Sequence, residues 1–256
     1  MTVVLAAVDA EQVARRVVET AAELARLTAS DLELLHVVES DEARDLVVER
    51  FAGERLREAT GDPSERIIEA SRDDDVSLVV VGARTTESGA RPAGHVARAI
   101  VEQADKPVVV VPPGGPSRAA TIRRVLVPLE GSETSTRAVS DLLGSLTAAG
   151  VCLVPVHVFD PGTSPAFWDH AAHSHEAFTT SFSHRWCAPD ADPLRLRRGR
   201  IGDVVVEAAD EEDADLIVLG WSRHLAAGRA PVVRTVLGES RVPVLLVPVA
   251  SAETGR

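Results

Sequence analysis

The chain has 256 residues, a formal net charge of −12 at pH 7 and 45% hydrophobic residues, which is apolar material for one large or two ordinary domains. The excess of acidic residues disfavours binding to nucleic acid, and no apolar run approaches the roughly 18 residues of a membrane-spanning helix. Lys106 is the single lysine and tyrosine is absent, which excludes a P-loop, a pyridoxal Schiff base and a tyrosine acid. Two cysteines without a C-x-x-C pair predict a reducing, cytoplasmic setting.

Short apolar runs alternate with helical periodicity along the first half. Most of these runs are apolar and rich in β-branched residues, as in parallel strands that are buried on both faces, whereas the run at 56–60 is a weak strand. The segments between them place apolar residues three or four positions apart. The predicted strands cover residues 3–8, 32–38, 56–60, 78–81 and 108–111, and the predicted helices cover residues 13–24, 42–54 and 63–71.

The second half repeats the first. The run that ends at Asp9 recurs as the run that ends at Glu130, an offset of 130 − 9 = 121, and His36 falls on His157 at the same offset. The run before Gly82 recurs before Gly220 at an offset of 220 − 82 = 138, so the second half holds 138 − 121 = 17 extra residues between these points. The terminal apolar run at 107–112 recurs at 243–248.

Strands that are apolar throughout and separated by helices predict an α/β fold of two tandem, doubly wound domains. Each domain is a five-stranded parallel sheet with helices on both faces. The Pro- and Gly-rich run after Pro112 fits neither core and reads as a linker. The predicted organisation is therefore a first domain at 1–113, a linker at 114–121, a second domain at 122–250 and a tail at 251–256.

Candidate binding residues follow the strands, because ligands of such sheets bind at the carboxyl ends of the strands. Asp9 and Glu130 follow the first strand of each half and can accept hydrogen bonds from ribose or adenine, or can instead cap the next helix. Gly82 and Gly220 begin loops that lead to a helix N-terminus, which is a generic anion site.

These features, in this order and occurring twice, resemble the universal stress protein family in its tandem form. The resemblance implies Rossmann-like domains of the adenine nucleotide alpha hydrolase type that bind ATP or AMP, with Mg²⁺. It also implies an intrachain pseudo-dimer in which the terminal strands at 108–111 and 244–247 pair, and it leaves further self-association open. The nucleotide-binding residues it implies in the first half are Ala7, Val8, Asp9, Val37, Gly82, Arg84, Gly94, His95 and Val96.

The phosphate loops depart from the family pattern, in which G-x-x-G is followed by nine residues and then by Gly and Ser or Thr. In the first half Thr85 replaces the second glycine, and Gly94-His95 replaces the final pair one residue early. In the second half only Gly220 remains, and Pro231 supplies no N–H donor. Glu130, Gly220 and Arg223 therefore form a degenerate second site, in which Arg223 could contact phosphate as Arg84 could in the first.

The extra segment of the second half contains four of the eight histidines. His170 with His173, and His184 with Cys187, each share a helix face, so a zinc site can be drawn. The alternative is a solvated or interdomain amphipathic helix. Its apolar side would consist of Phe167, Trp168, Phe178, Phe182 and Trp186.

The sequence thus predicts a stress-response binding module rather than an enzyme, and it leaves weak ATP hydrolysis open. A nucleotide-independent signalling or protein-interaction module that uses the Trp- and His-rich insertion is the alternative. An enzyme that uses a metal or Ser222 is the third hypothesis, because Gly220 to His224 resembles a broken G-x-S-x-G elbow. The acidic charge makes AMP, or no nucleotide, nearly as good a hypothesis as ATP.

Overall fold

The computed structural model describes residues 2–11, 13–83, 94–114, 121–162, 164, 168, 172–223 and 230–249, with the side chains of residues 172 and 173 left out. Most of the predicted linker and the whole of the predicted tail lie outside these residues. Arg84, Phe167, His170 and the side chain of His173 lie outside them as well.

The first half alternates strands and helices along its length. The strands are β1 (Val3–Val8), β2 (Asp31–Val38), β3 (Leu56–Thr60), β4 (Val76–Gly82) and β5 (Val108–Val111). The helices are α1 (Val13–Leu27), α2 (Asp41–Arg50), α3 (Pro63–Ser71) and α4 (His95–Gln103).

The second half repeats this order of elements. The strands are β6 (Arg124–Pro128), β7 (Cys152–Phe159), β8 (Arg195–Arg198), β9 (Leu216–Trp221) and β10 (Val244–Pro248). The helices are α5 (Glu133–Ala148), α6 (Ala172–Trp186), α7 (Ile201–Glu211) and α8 (Pro231–Glu239).

All ten strands form one sheet, in the order β3-β2-β1-β4-β5-β10-β9-β6-β7-β8. Neighbouring strands are parallel within each half, and only the central pair, β5 and β10, is antiparallel. In that pair Val109 lies opposite Leu245. The two predicted five-stranded parallel sheets are therefore present, and the terminal strands pair as the family resemblance implies.

Helices cover both faces of the sheet, and each face has one core that runs through both halves. One core joins α1, α2, α5 and α6 to the sheet, and the other joins α3, α4, α7 and α8 to it. Hydrogen bonds also cross between the halves. The indole Nε1 of Trp221 donates to the carbonyl of Val101 at 3.0 Å, and Glu23 accepts from the amide of Ile122 at 3.2 Å.

Two sequence expectations need correction. The second helix ends at Arg50 rather than residue 54, because Phe51 is buried and Gly53 has a φ of +99° that turns the chain out of the helix. The inserted helix α6 is amphipathic, as the alternative to the zinc site expects, but it is not placed between the halves. It packs on the core of its own half, where Phe182 is buried and Phe178 and Trp186 are partly buried.

Glu212 gives the second half a pH-dependent contribution to stability. It accepts hydrogen bonds from Nε of Arg195 at 2.8 Å and from Nη2 of Arg124 at 3.3 Å. The hydrogen bond from Arg195 lowers the pKa of Glu212 below its ordinary value of 4.5. The contribution is therefore complete above that ordinary value and is lost as the pH falls through the lowered pKa.

We accordingly expect Glu212→Gln to lower the free energy of unfolding by about 1–3 kcal/mol at neutral pH, because two charged hydrogen bonds are weakened. Urea denaturation at a series of pH values measures this difference. It should shrink as the pH is lowered below 4.5. A difference that stays constant with pH would contradict the assigned pairing.

Candidate functional site

A cavity of about 300 Å³ opens at the carboxyl ends of β1, β2 and β4. In the sheet β1 lies between β2 and β4, so the strands that follow β1 are added first on one side of it and then on the other. The cavity lies at this reversal of strand order. Eight of the nine first-half residues proposed from the sequence line it, and the ninth, Arg84, lies outside the described residues. The eight are Ala7, Val8, Asp9, Val37, Gly82, Gly94, His95 and Val96.

Asp9 begins the turn between β1 and α1. Its Oδ1 accepts a hydrogen bond from the amide of Glu11 at 2.9 Å, so the carboxylate shapes the chain just before the helix. The carboxylate therefore borders the cavity and stabilises the turn, and its hydrogen bond to Glu11 precedes the first residue of α1, Val13, rather than capping that helix.

His36 is the lining residue that sequence reasoning missed. It is 1% exposed, and its Nδ1 lies 3.0 Å from the carbonyl oxygen of Val8. Because a carbonyl only accepts, Nδ1 carries the proton and Nε2 of the neutral ring is an acceptor. Nε2 is buried and has no hydrogen-bond partner among the described residues. The recurrence of this histidine at position 157 was a sequence signal for a lining residue, but it was used only to align the two repeats.

Helix α4 supplies the donors of the first cavity. It begins at His95 after the N-cap residue Gly94, which makes no side-chain capping bond, and its first turn holds no acidic residue. The amides of a first helical turn have no partner within the helix and favour an anion. The cavity is otherwise acidic, since its described lining has no lysine or arginine and includes the carboxylates of Asp9, Glu11, Glu39 and Asp62.

Gly82 is favoured by packing as well as by its place in the loop. A Cβ at Gly82 would lie 3.0 Å from Cγ1 of Val13, so the absence of a side chain lets α1 pack closely on the end of β4. Gly220 has the same role in the second half, where a Cβ would lie 3.2 Å from Cβ of Ser135 on α5. Glycine at these points is thus explained without a phosphate.

The second half has an equivalent cavity of about 400 Å³, which Glu130 and Gly220 line. Arg223 does not line it. Its Nη1 instead forms an ion pair with Asp105 of the first half. The structure therefore brings together two residues of the predicted second site and directs the third towards the other half.

The entry to α8 differs from that of α4. Pro231 occupies the start of the helix and offers no N–H, and Ala230 before it adopts a left-handed conformation with a φ of +47°. Neither residue makes a side-chain capping bond. The first turn of α8 thus offers one backbone donor fewer than the first turn of α4. Ser222 lines neither cavity.

Two residues of the zinc site drawn from the sequence, His184 and Cys187, have described side chains. His184 is exposed, whereas Cys187 is partly buried against the core, where burial raises the pKa of its thiol. Within the described ranges, no group of three potential metal-ligating side chains forms a cluster. His170 and the side chain of His173 fall outside those ranges.

Among the helices that the structure describes, none has the length and apolar character to cross a membrane.

Comparison with solved structures shows where the fold has been seen before. The chain is similar to a protein described as a universal stress protein from Pseudomonas aeruginosa UCBPP-PA14, with a TM-score of 0.69 and 17% identity over 97% of this chain and 94% of that chain. It is similar to a universal stress protein from Archaeoglobus fulgidus DSM 4304, with a TM-score of 0.68 and 16% identity over 96% of this chain and 98% of that chain. A universal stress protein solved in complex with cAMP matches 50% of this chain and 97% of its own, with a TM-score of 0.38 and 29% identity.

Comparison with curated proteins found no match. The model of the universal stress protein family, by contrast, matches residues 41–112 and 121–248, which together make up well over half of the chain. The second matched segment spans β6 to β10, and the first runs from α2 to just after β5, without β1, α1 and β2. The chain therefore belongs to the universal stress protein family.

Proposed function

We propose that this universal stress protein is a binding module that takes up AMP in the cavity of its first half. The observation that carries this proposal is the pairing of buried acceptors on one side of the cavity with an uncapped helix N-terminus on the other. Such a pairing suits a nucleoside that bears one phosphate. In this account the protein responds to a nucleotide and is not an enzyme.

The acceptors fit the nucleoside part. A ribose hydroxyl or the adenine amine would supply the donor that Nε2 of His36 lacks among the described groups. The carboxylate of Asp9, at the carboxyl end of β1, would accept from the ribose hydroxyls. Apolar side chains of the lining, including Val37 and Ile67, would pack against the base.

The first turn of α4 fits a single phosphate, because Val96 and Ala97 of this turn line the cavity and the turn lacks a capping side chain. A triphosphate fits the described residues poorly. Its additional charges would add to those of Glu11, Glu39 and Asp62, and the described lining holds no lysine or arginine to balance them. We therefore assign AMP rather than ATP to this cavity, and the assignment requires no Mg²⁺.

Thermal unfolding in the presence of adenosine, AMP or ATP with Mg²⁺ tests the proposal. A ligand that binds only the native state stabilises it by about 2.7 kcal/mol at 100 times its Kd. We expect AMP to raise the Tm most, with smaller shifts for adenosine and for ATP with Mg²⁺ at the same concentration. A larger shift with ATP would contradict the monophosphate assignment, and no shift with any of the three would contradict nucleotide binding.

The remaining features of the proposal follow from the fold and the sequence. We propose that residues 1–113 and 122–250 act as an intrachain pseudo-dimer, supported by the antiparallel pairing of β5 with β10. The outer strands β3 and β8 carry charged side chains, which oppose further growth of the sheet by self-association.

The net charge of −12 argues against nucleic acid as a partner. Two free cysteines support a reducing, cytoplasmic location.

The alternative, a nucleotide-independent interaction module built on the insertion, has less structural support. Phe182 is buried, and Phe178 and Trp186 pack on the same core, so these aromatic residues of α6 stabilise the fold rather than form an open apolar surface. This alternative becomes the preferred account if no adenine compound binds.

A further inference from the structure

Among the described residues, each polar side chain that lines the second cavity has its hydrogen, if it carries one, already donated within the protein. The hydroxyl of Ser135 donates to Oε1 of Glu130 at 2.5 Å, and the hydroxyl of Thr136 donates to the carbonyl of Ser132 at 2.9 Å. Nδ1 of His157 lies 2.7 Å from the carbonyl of Leu129 and therefore carries the proton, which leaves Nε2 of the neutral ring as an acceptor. These side chains can thus only accept hydrogen bonds from a ligand.

The mouth of the cavity is negatively charged. Glu130 and Asp160 are exposed carboxylates at its rim, and the described lining contains neither lysine nor arginine. Arg223, which follows the end of β9 in the sequence, forms an ion pair with Asp105 instead. Ser132 and Ser135 both bond to Oε1 of Glu130, which fixes the orientation of this carboxylate.

The interior of the cavity is apolar, and one wall is backed by the inserted helix. The His157 ring packs on Phe182 with centroids 4.5 Å apart, and the Phe159 ring packs on Phe178 with centroids 5.3 Å apart. Phe159 also contacts Trp168 edge to face at 5.5 Å. The opposite walls are formed by aliphatic side chains, among them Val139, Val156, Ile201, Val218, Leu219 and Val233.

From these observations we propose that the second cavity binds a small organic cation, a primary ammonium attached to an apolar body. The ammonium group carries three donors and no acceptor, which complements the accepting side chains of the described rim. In this proposal it lies at the mouth between Glu130 and Nε2 of His157, and the apolar body fills the interior against Phe159. The two halves of the chain then bind ligands of opposite charge, because the start of α8 offers one backbone donor fewer to an anion than the start of α4.

Titration with three probes of the same shape tests this site. Phenethylammonium, 2-phenylethanol and phenylacetate differ only in whether the head group is cationic, neutral or anionic. All three tryptophans of the chain lie in the second half, so tryptophan emission follows binding there, and calorimetry gives the Kd. We expect phenethylammonium to bind at least tenfold more tightly than 2-phenylethanol, and phenylacetate not to bind.

Matched variants separate this site from general attraction of cations to an acidic protein. Glu130→Gln and Asp9→Asn each remove one negative charge, and only Glu130→Gln should weaken phenethylammonium binding, by at least tenfold. Phe159→Leu provides a second variant, which should weaken binding while circular dichroism stays unchanged. Equal binding of phenylacetate, equal loss in both charge variants, or no binding of phenethylammonium at millimolar concentration would overturn the proposal. None of these outcomes bears on AMP binding in the first half.

Discussion

Replacing Leu245 with alanine should destabilise both halves of the protein together, by about 2–5 kcal/mol. Leu245 is fully buried on β10, directly opposite Val109 of β5 at the antiparallel junction. Both faces of the sheet carry cores that cross this junction. Truncation of Leu245 therefore removes packing that the two halves share. We expect a single unfolding transition that moves to lower denaturant concentration.

Urea denaturation followed by circular dichroism and by tryptophan emission measures this effect. Circular dichroism reports on the whole chain, whereas the tryptophans all lie in the second half, where Trp221 also contacts Val101 of the first half. Leu46→Ala is the matched control, since Leu46 is 51% exposed on α2 and its truncation should leave the midpoint nearly unchanged. Two separate transitions, with only one shifted by Leu245→Ala, would show that the halves unfold independently.

The second large effect is on ligand binding, where Asp9→Asn should weaken AMP by roughly 10- to 150-fold. This range corresponds to the loss of about 1.5–3 kcal/mol from hydrogen bonds to a charged group. Asparagine keeps an oxygen that can accept from the amide of Glu11, so the turn before α1 is retained. The variant therefore tests the charge at the cavity rather than the local fold.

Calorimetry of AMP binding to the wild type, Asp9→Asn and Glu130→Gln checks this expectation. Glu130 occupies the corresponding place in the second half, where the helix start is closed by Pro231, and Glu130→Gln should leave the Kd for AMP unchanged. An AMP affinity that falls in Glu130→Gln and not in Asp9→Asn would contradict the assignment of AMP to the first half.

Most of the fold could be predicted from the sequence because the repeat supplies each element twice. Runs such as 3–8, 56–60 and 108–111 have the observed strand bounds, since their apolar residues are bounded by polar or turn residues. The pairing of β5 with β10 could not come from periodicity, because antiparallel pairing of distant strands leaves no local pattern; the family resemblance supplied it. The end of α2 was misplaced because the burial of Phe51 is a tertiary effect.

The part of the candidate site that depends on the position of residues along the strands and helices could be predicted. Residues at strand ends and at the start of α4 must lie together in a doubly wound sheet, and the eight described candidates do line one cavity. Side-chain partners were not predictable in this way. The proton position on His36 depends on the carbonyl of Val8, and the diversion of Arg223 depends on Asp105 of the other half, a residue 118 positions away in the chain. Neither partner can be read from local sequence.

Hydrogen exchange of the full chain with and without AMP tests the central claim most directly. If AMP occupies the first cavity, exchange should slow at the amides of Val96 and Ala97, at the start of α4, and in the turn that follows Asp9. Protection confined to residues 129–136 and 232–233, around the second cavity, or no protection at saturating AMP, would contradict the assignment of AMP to the first half.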